Sequence, residues 1–335
     1  MSKGAHAPVP PRRVLLRSVP AALLALAAGH GLAQRAMYPA RDVQIVVPNE
    51  PGGGLDLVAR LLARGLGHST GKPFNVINRS GGSGNVGTAS VARAEADGYT
   101  LLLTGVGHVV SPLLHDRPGY EPKDFEPVAR LASAPNVLLV HDALKGLTLQ
   151  QLLADARSRN SGLAYGSAGY GHSSHLAAEV FMARTGARWL HVPYRGTAPA
   201  SRALLAGEVQ LMFVPAGSVQ PLLAAGSAHA VAVAAARRLP NLPGVPTLSE
   251  LGVRGADFGQ WYGVLAPAGT PEAVLEALQA ELGKQLADGE TVRGLQAMGI
   301  EPAWLGRADF AAFLAAQGRE LAAFVQRHRV EGTRN

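Results

Sequence analysis

No cysteine occurs in the 335 residues. Disulfides, cysteine-ligated zinc, iron–sulfur clusters and a thiol nucleophile are thereby excluded, while the redox compartment stays open. Charge is scarce: Asp, Glu, Lys and Arg make up 16% of the chain, against an ordinary ~25%, and apolar residues make up 47%. A disordered chain has the opposite balance. Aromatics amount to 5%, and no Lys/Arg cluster with interleaved aromatics offers a nucleic-acid surface. Beyond the N-terminal segment, no apolar run reaches the ~18 residues of a membrane helix. Glycine and proline are plentiful, at 40 and 23 residues, which excludes a coiled coil because they would break long helices repeatedly. The length fits about two domains at roughly 150 residues each, enough to bury a core without metals or disulfides.

The first 33 residues read as an address. Arg12, Arg13 and Arg17 form a basic start, residues 19–28 an apolar stretch too short to span a bilayer, and Gly31-Leu32-Ala33 a small-x-small cleavage signal. The paired arginines admit the twin-arginine route as well as the general secretory one. No cysteine follows, so a lipid anchor is excluded, and the mature chain is expected in the periplasm as a soluble protein. Residues 1–33 hold four cations and no acid, so the net charge falls from +7 to +3 on their removal. That is a weak field for a nucleic-acid or other polyanionic partner.

The remainder alternates short β-branched runs with helical patterns, the signature of an α/β fold with mainly parallel sheets. Strands are expected at 43–47, 74–77, 99–104, 137–140, 163–165, 190–193, 209–214, 230–235 and 261–266. Helices are expected at 55–66, 85–94, 149–157, 174–184, 199–205, 271–286 and 309–328.

Four strand-to-helix turns stand out for their Gly, Ser, Thr and Pro: residues 48–56, 78–87, 166–174 and 194–199. The first amides of a helix have no internal acceptor, and the helix dipole adds positive charge there. Glycine lets a ligand approach such amides closely. Together these make carboxylate or phosphate sites without a cationic side chain, and in open parallel sheets such turns lie at the ligand-binding ends of the strands.

Sharper motifs fail. Gly82-Ser83-Gly84-Asn85-Val86-Gly87 matches G-x-G-x-x-G, but no acid follows about 20 residues on to hold a ribose. Gly52-Gly53-Gly54 lacks the Lys-Ser/Thr of a P-loop, and Tyr165 replaces the first glycine of a hydrolase elbow around Ser167. His172, His175 and Glu179 have zinc-like spacing without an H-E-x-x-H, and read as capping or core residues. No metal and no cofactor is expected.

The turns resemble those of the extracytoplasmic receptors of tripartite tricarboxylate transporters, the Bug receptors. The likeness is carried by Val47-Pro48 with Pro51-Gly52-Gly53 and Asp56; by Asn78-Arg79 with Gly81, Gly84 and Gly87; and by Asp97-Gly98-Tyr99-Thr100. It continues in Val192-Pro193-Tyr194-Arg195-Gly196 and Ala266-Pro267-Ala268-Gly269-Thr270-Pro271. It runs from about Tyr38 to the C-terminus. The resemblance implies the periplasmic-binding-protein class II architecture, two α/β lobes with a ligand cleft between them. Lobe 1 would comprise residues 38–135 plus 262–335 and lobe 2 residues 136–261, with crossings near 134–140 and 258–264. It also implies a monomeric, non-enzymatic receptor that captures a small carboxylate and passes it to a permease with a large and a small membrane subunit. A sensing subunit would use the same closure. A secreted hydrolase or lyase would need His172 with Ser167 or Ser173 and a third orienting group, which the sequence does not offer.

The candidate ligand-binding set is Asn49, Glu50, Gly52, Gly53, Asp56, Ser83, His172, Ser173, Tyr194 and Thr197. Asn49 and His172 stand where the family usually carries Phe and Ser or Thr. Glu50, if inward, disfavours a second carboxylate; if outward, it is a surface residue. Asp56 is expected to hold the Gly loop, Arg195 to pair across its loop or meet a carboxylate directly, and Trp261 to serve as a hinge, a pocket wall or a core residue.

Overall fold

The computed structural model describes residues 38–157 and 163–330, with residues 1 and 332. The leader expected over 1–33 lies, Met1 apart, outside the described residues. Strand β1 (Val43–Val47) is buried except at Gln44 and leads into α1 (Gly54–Thr70). This helix stops at Gly71, whose φ of 67° allows its amide to close on the Gly67 carbonyl. Next come β2 (Phe74–Asn78), α2 (Asn85–Ala92), β3 (Thr100–Thr104), α3 (Gly107–Leu114) and the 17-residue β4 (Phe125–His141). A second series follows: α4 (Leu149–Arg157), β5 (Ala164–Ser167), α5 (Ser173–Thr185), β6 (Leu190–Pro193), α6 (Thr197–Ala206), β7 (Leu211–Pro215), α7 (Val219–Ala224) and β8 (Ala228–Ala234). The chain closes with β9 (Gly259–Pro267), α8 (Glu272–Ala287), α9 (Gly289–Ala297), β10 (Glu301–Leu305) and α10 (Arg307–His328).

The strands order β2-β1-β3-β9-β4-β7-β5-β6, with β8 and β10 also paired to β4. The two arms, β2-β1-β3 and β7-β5-β6, are parallel, as the helix-linked repeats lead one to expect. The centre is antiparallel, which the sequence reading did not foresee. There β9 pairs with β3 and β4, while β7, β8 and β10 pair with β4. β4 changes partners midway: residues up to Pro135 pair with β9, and those from Asn136 on pair with β7 and β8. At this crossing the backbones approach closely. A Cβ on Gly259 would lie 2.6 Å from the Ala134 carbonyl.

Two apolar clusters flank the crossing. One gathers Leu138, Leu152, Phe181, Trp189, Leu211 and Phe213, with Phe181 stacked on Trp189 at 5.0 Å. The other gathers Val46, Val106, Val110, Trp261 and Phe310 and takes in Leu176 from α5. Trp261 is a core residue: it is 3% exposed, and its Nε1 donates to Gln317 Oε1 at 2.7 Å. Each such fully buried large apolar side chain stabilises the fold by about 2 kcal/mol.

The sequence reading lacked α3, α7, α9 and β10, and three of these show a local cause. α3 carries Pro112 in its interior, α7 carries Pro221 and spans six residues, and β10 alternates half-buried and exposed positions. Pro127 and Pro135 likewise punctuate the long strand β4.

Candidate functional site

The four glycine-rich turns meet. A cleft of about 230 Å³ opens between them, lined by Pro48 and Asn49, residues 80–84, residues 168–170 with His172, and residues 193–196. Two turns come from the neighbouring strands β1 and β2, two from the neighbouring strands β5 and β6, all at the carboxyl ends of parallel strands. Wider concavities exist, such as one of about 970 Å³ along the β2 edge and one of about 650 Å³ beside Asn241. Neither collects these turns.

The helices that start here are uncapped. α1, α2, α5 and α6 begin after Gly53, Gly84, His172 and Gly196, and none has a side-chain cap hydrogen bond. In α2 the first amides are taken up by the turn before it, Asn85 and Val86 donating to the Gly82 and Gly81 carbonyls, whereas α1, α5 and α6 keep first-turn amides without an intrahelical acceptor. The turns themselves are stiff. In the third, the Ala168, Gly169 and Gly171 amides donate to Ser174 Oγ, Ser167 Oγ and His175 Nδ1 at 2.9, 3.1 and 3.2 Å. Those donors are consumed within the protein. By contrast, the amides of Ser80, Gly81, Tyr170 and Arg195, all in the cleft lining, have no protein acceptor among the described residues. The lining holds one cation, Arg195, and no acid. Arg195 is exposed and forms no ion pair among the described residues.

Four residues of the candidate set line the cleft: Asn49, Ser83, His172 and Tyr194. Ser83 has φ 56°, a left-handed conformation that costs a non-glycine residue about 1 kcal/mol or more. His172 is half-buried; burial, and secondarily the nearby His115, push its pKa down to about 4, so the imidazole is neutral. Tyr194 is raised by burial and then by Glu208, to which its hydroxyl donates.

The other six surround the cleft without lining it. Asp56 is 3% exposed and lies beneath the first turn. Its carboxylate accepts from the Gly52 amide, Arg60 Nε and Asn78 Nδ2, each at 3.0 Å. Burial would raise its pKa; the Arg60, Gly52 and Asn78 hydrogen bonds, with the Arg60 charge, outweigh burial and hold it below the usual carboxylate value. Glu50 accepts a short hydrogen bond from Ser80 Oγ, tying the first turn to the second. A Cβ on Gly196 would meet its side chain at 3.6 Å. Gly52 and Gly53 shape the turn, and Gly53 faces Thr197 across the gap between arms. Ser173 is buried at the start of α5, and its carbonyl accepts from Asn136.

Sequence reasoning missed Ser80, Tyr170 and the glycines 81, 82 and 84 as lining residues, although their turns were singled out. The serine–histidine pairing also differs from the one weighed. Ser167 Oγ lies 2.6 Å from His191 Nε2, not against His172, and Ser167 is completely buried. His191 Nδ1 has no partner, so no acid orients the pair. His175, His191 and Tyr165 instead stack on one another, and Tyr170 of the lining meets the two histidines edge-on. Among the described residues, no group of three or more His, Asp or Glu is placed to hold a metal, and no helix is long and apolar enough to cross a membrane.

The model of the tripartite tricarboxylate transporter family receptor matches residues 58–329. A UPF0065 protein from the tcbD-tcbE intergenic region of Pseudomonas sp. (strain P51) is 39% identical over 79% of this chain and 80% of its own. Protein BugT of Bordetella pertussis is 35% identical over 79% and 82%. Among solved structures, the periplasmic binding protein BugD superposes with a TM-score of 0.82 at 32% identity, and R. palustris Rpa4515 with adipate at 0.84 and 34%. Each alignment covers 88% of this chain and all of the other. MatC of Rhodopseudomonas palustris with bound malate gives 0.80 at 30%, covering 86% of this chain and all of its own. The architecture is therefore that of the periplasmic binding proteins.

Proposed function

We propose that the chain, which belongs to the tripartite tricarboxylate transporter receptor family, is an extracytoplasmic receptor that captures one small carboxylate in the cleft between the four turns. The observation that carries this reading is the convergence of the turns, with the acceptor-free amides of Ser80, Gly81, Tyr170 and Arg195, on a lining with one cation and no acid. An acid group is held there by amides and hydroxyls, with Arg195 at the margin. The similar structures with adipate and malate support a carboxylate of that size.

Residues 38–135 with 262–335 act as one lobe and 136–261 as the other, joined where β4 and β9 cross. Glu50 and Gly53 lie close to Gly196 and Thr197, contacts that lobe closure around the solute keeps in place. The closed form is handed to a permease with large and small membrane subunits, and the leader delivers the receptor to the periplasm. No bond of the solute is broken: the buried Ser167–His191 pair lies behind the cleft wall and lacks an orienting acid. Asn49, Ser83, His172 and Tyr194 are the selectivity residues of the cleft, while Asp56 and Glu50 hold its turns.

Isothermal titration of the mature chain against a panel of small mono- and dicarboxylates tests this. One acid binds at a 1:1 ratio and is recovered chemically unchanged. Turnover of the bound acid, or binding of amines in preference to acids, would reject the reading.

A further inference from the structure

A second concavity, of about 350 Å³, lies where β4 and β9 cross, and it shares no residue with the turn cleft. Arg130 is half-buried in its wall. Its Nε donates to the Ala303 carbonyl at 3.0 Å, and its guanidinium carbon lies 4.8 Å from the centre of the Phe313 ring. No carboxylate pairs with it among the described residues. The other two cations of the lining are already matched, Arg237 to Glu301 at 2.8 Å and Arg238 to Glu250 at 2.9 Å. Asp257, the remaining acid of the lining, is exposed and makes no ion pair with Arg130.

A partly buried guanidinium without a counter-charge is costly, and its planar fork fits a carboxylate. Ser133, half-buried in the same wall, makes no side-chain hydrogen bond. Gln317 accepts from Trp261 through Oε1, which leaves its amide nitrogen as a donor. Adjoining these polar groups, Phe258, Trp261 and Phe313 supply an apolar, aromatic surface. From this arrangement we infer that the crossing crevice is a second ligand site, which takes a small carboxylate with an apolar body: the acid on Arg130, Ser133 and Gln317, the body against the rings.

Isothermal titration of the mature protein with benzoate, and separately with acetate, reads this directly. Benzoate binds at least tenfold more tightly than acetate. Arg130→Gln weakens benzoate at least tenfold, and Arg130→Lys, which keeps the charge but not the fork, weakens it less. Arg195→Ala, on the rim of the turn cleft, leaves benzoate affinity within threefold. Benzoate also quenches the fluorescence of Trp261, a signal that disappears in Trp261→Phe; this readout holds even where an Arg130 variant fails to fold. The inference is overturned by no benzoate binding up to about 10 mM, by equal affinity for acetate, or by loss of binding on Arg195→Ala with retention on Arg130→Gln.

Discussion

Gly52 donates its amide to Asp56 Oδ2 at 3.0 Å, which places a buried carboxylate underneath the first turn rather than in the cleft. The same carboxylate takes Asn78, so one side chain fixes the turns that follow β1 and β2. Asp56→Ala leaves these donors and Arg60 without their acceptor and is expected to cost about 3 kcal/mol. Urea unfolding of the variant measures the loss. Because the folded pKa is depressed, the contribution of Asp56 is full above the unfolded value of about 4 and is lost as pH falls through the folded one. Asp56→Asn therefore loses less stability than the parent on acidification below about 4.

Gly87 sits where the first two turns touch. A Cβ there would lie 2.5 Å from the Arg79 carbonyl and 2.9 Å from Pro48 Cα, both backbone atoms that cannot swing aside. Gly87→Ala is expected to destabilise by about 2 kcal/mol and to weaken solute binding by separating the turns. Thermal unfolding and titration on the same variant check both effects.

Ser83 separates stability from function. Its φ of 56° suits glycine, so Ser83→Gly relieves strain while adding freedom to the unfolded chain. The two effects nearly cancel, and stability is expected to change by less than about 1 kcal/mol. The hydroxyl that lines the cleft is lost, and solute affinity falls. Unchanged affinity would remove Ser83 from the contact set.

The buried histidines make the protein acid-sensitive in a defined window. Burial pushes His108 and His191 down to about 4; burial and then neighbouring imidazoles push His172 to about 4 and His175 well below 6.5. Between about 6.5 and 4 the unfolded chain binds protons that the folded chain refuses, so stability falls as pH drops across that range. His108 stacks on Tyr120 and meets Phe125 edge-on, with Nδ1 unpartnered. His108→Phe is expected to show a shallower fall in melting temperature from pH 7 to 4.5.

The turns were legible in the sequence because glycine, serine and proline are demanded locally, by backbone geometry and close approach. Which of their residues line the cleft was not, because that depends on contacts between arms. Glu50 could face the ligand or solvent on sequence grounds; in the structure it is half-buried and accepts from Ser80 of the second turn, a partner that chain order does not show. The pairing of Ser167 with His191 joins adjacent strands, whereas chain proximity had favoured His172. The antiparallel centre was hidden for a related reason. β4 serves two partner sets, and its prolines and half-buried positions blur the pattern that a single buried strand would show. Helices with a broad apolar face, such as α1 and α8, were placed to within a few residues.

The central claim is that free amides of the second, third and fourth turns hold a carboxylate. Backbone amide shifts in two-dimensional NMR of the mature chain, titrated with adipate, malate and related small acids, test it most directly. The acid that binds is predicted to move the signals of Ser80, Gly81, Tyr170 and Arg195 downfield, and to leave those of Ala168, Gly169 and Gly171, which already have acceptors, comparatively still. A binding acid that leaves those four unmoved and shifts signals away from the cleft, or a full panel that shifts none, would contradict the account.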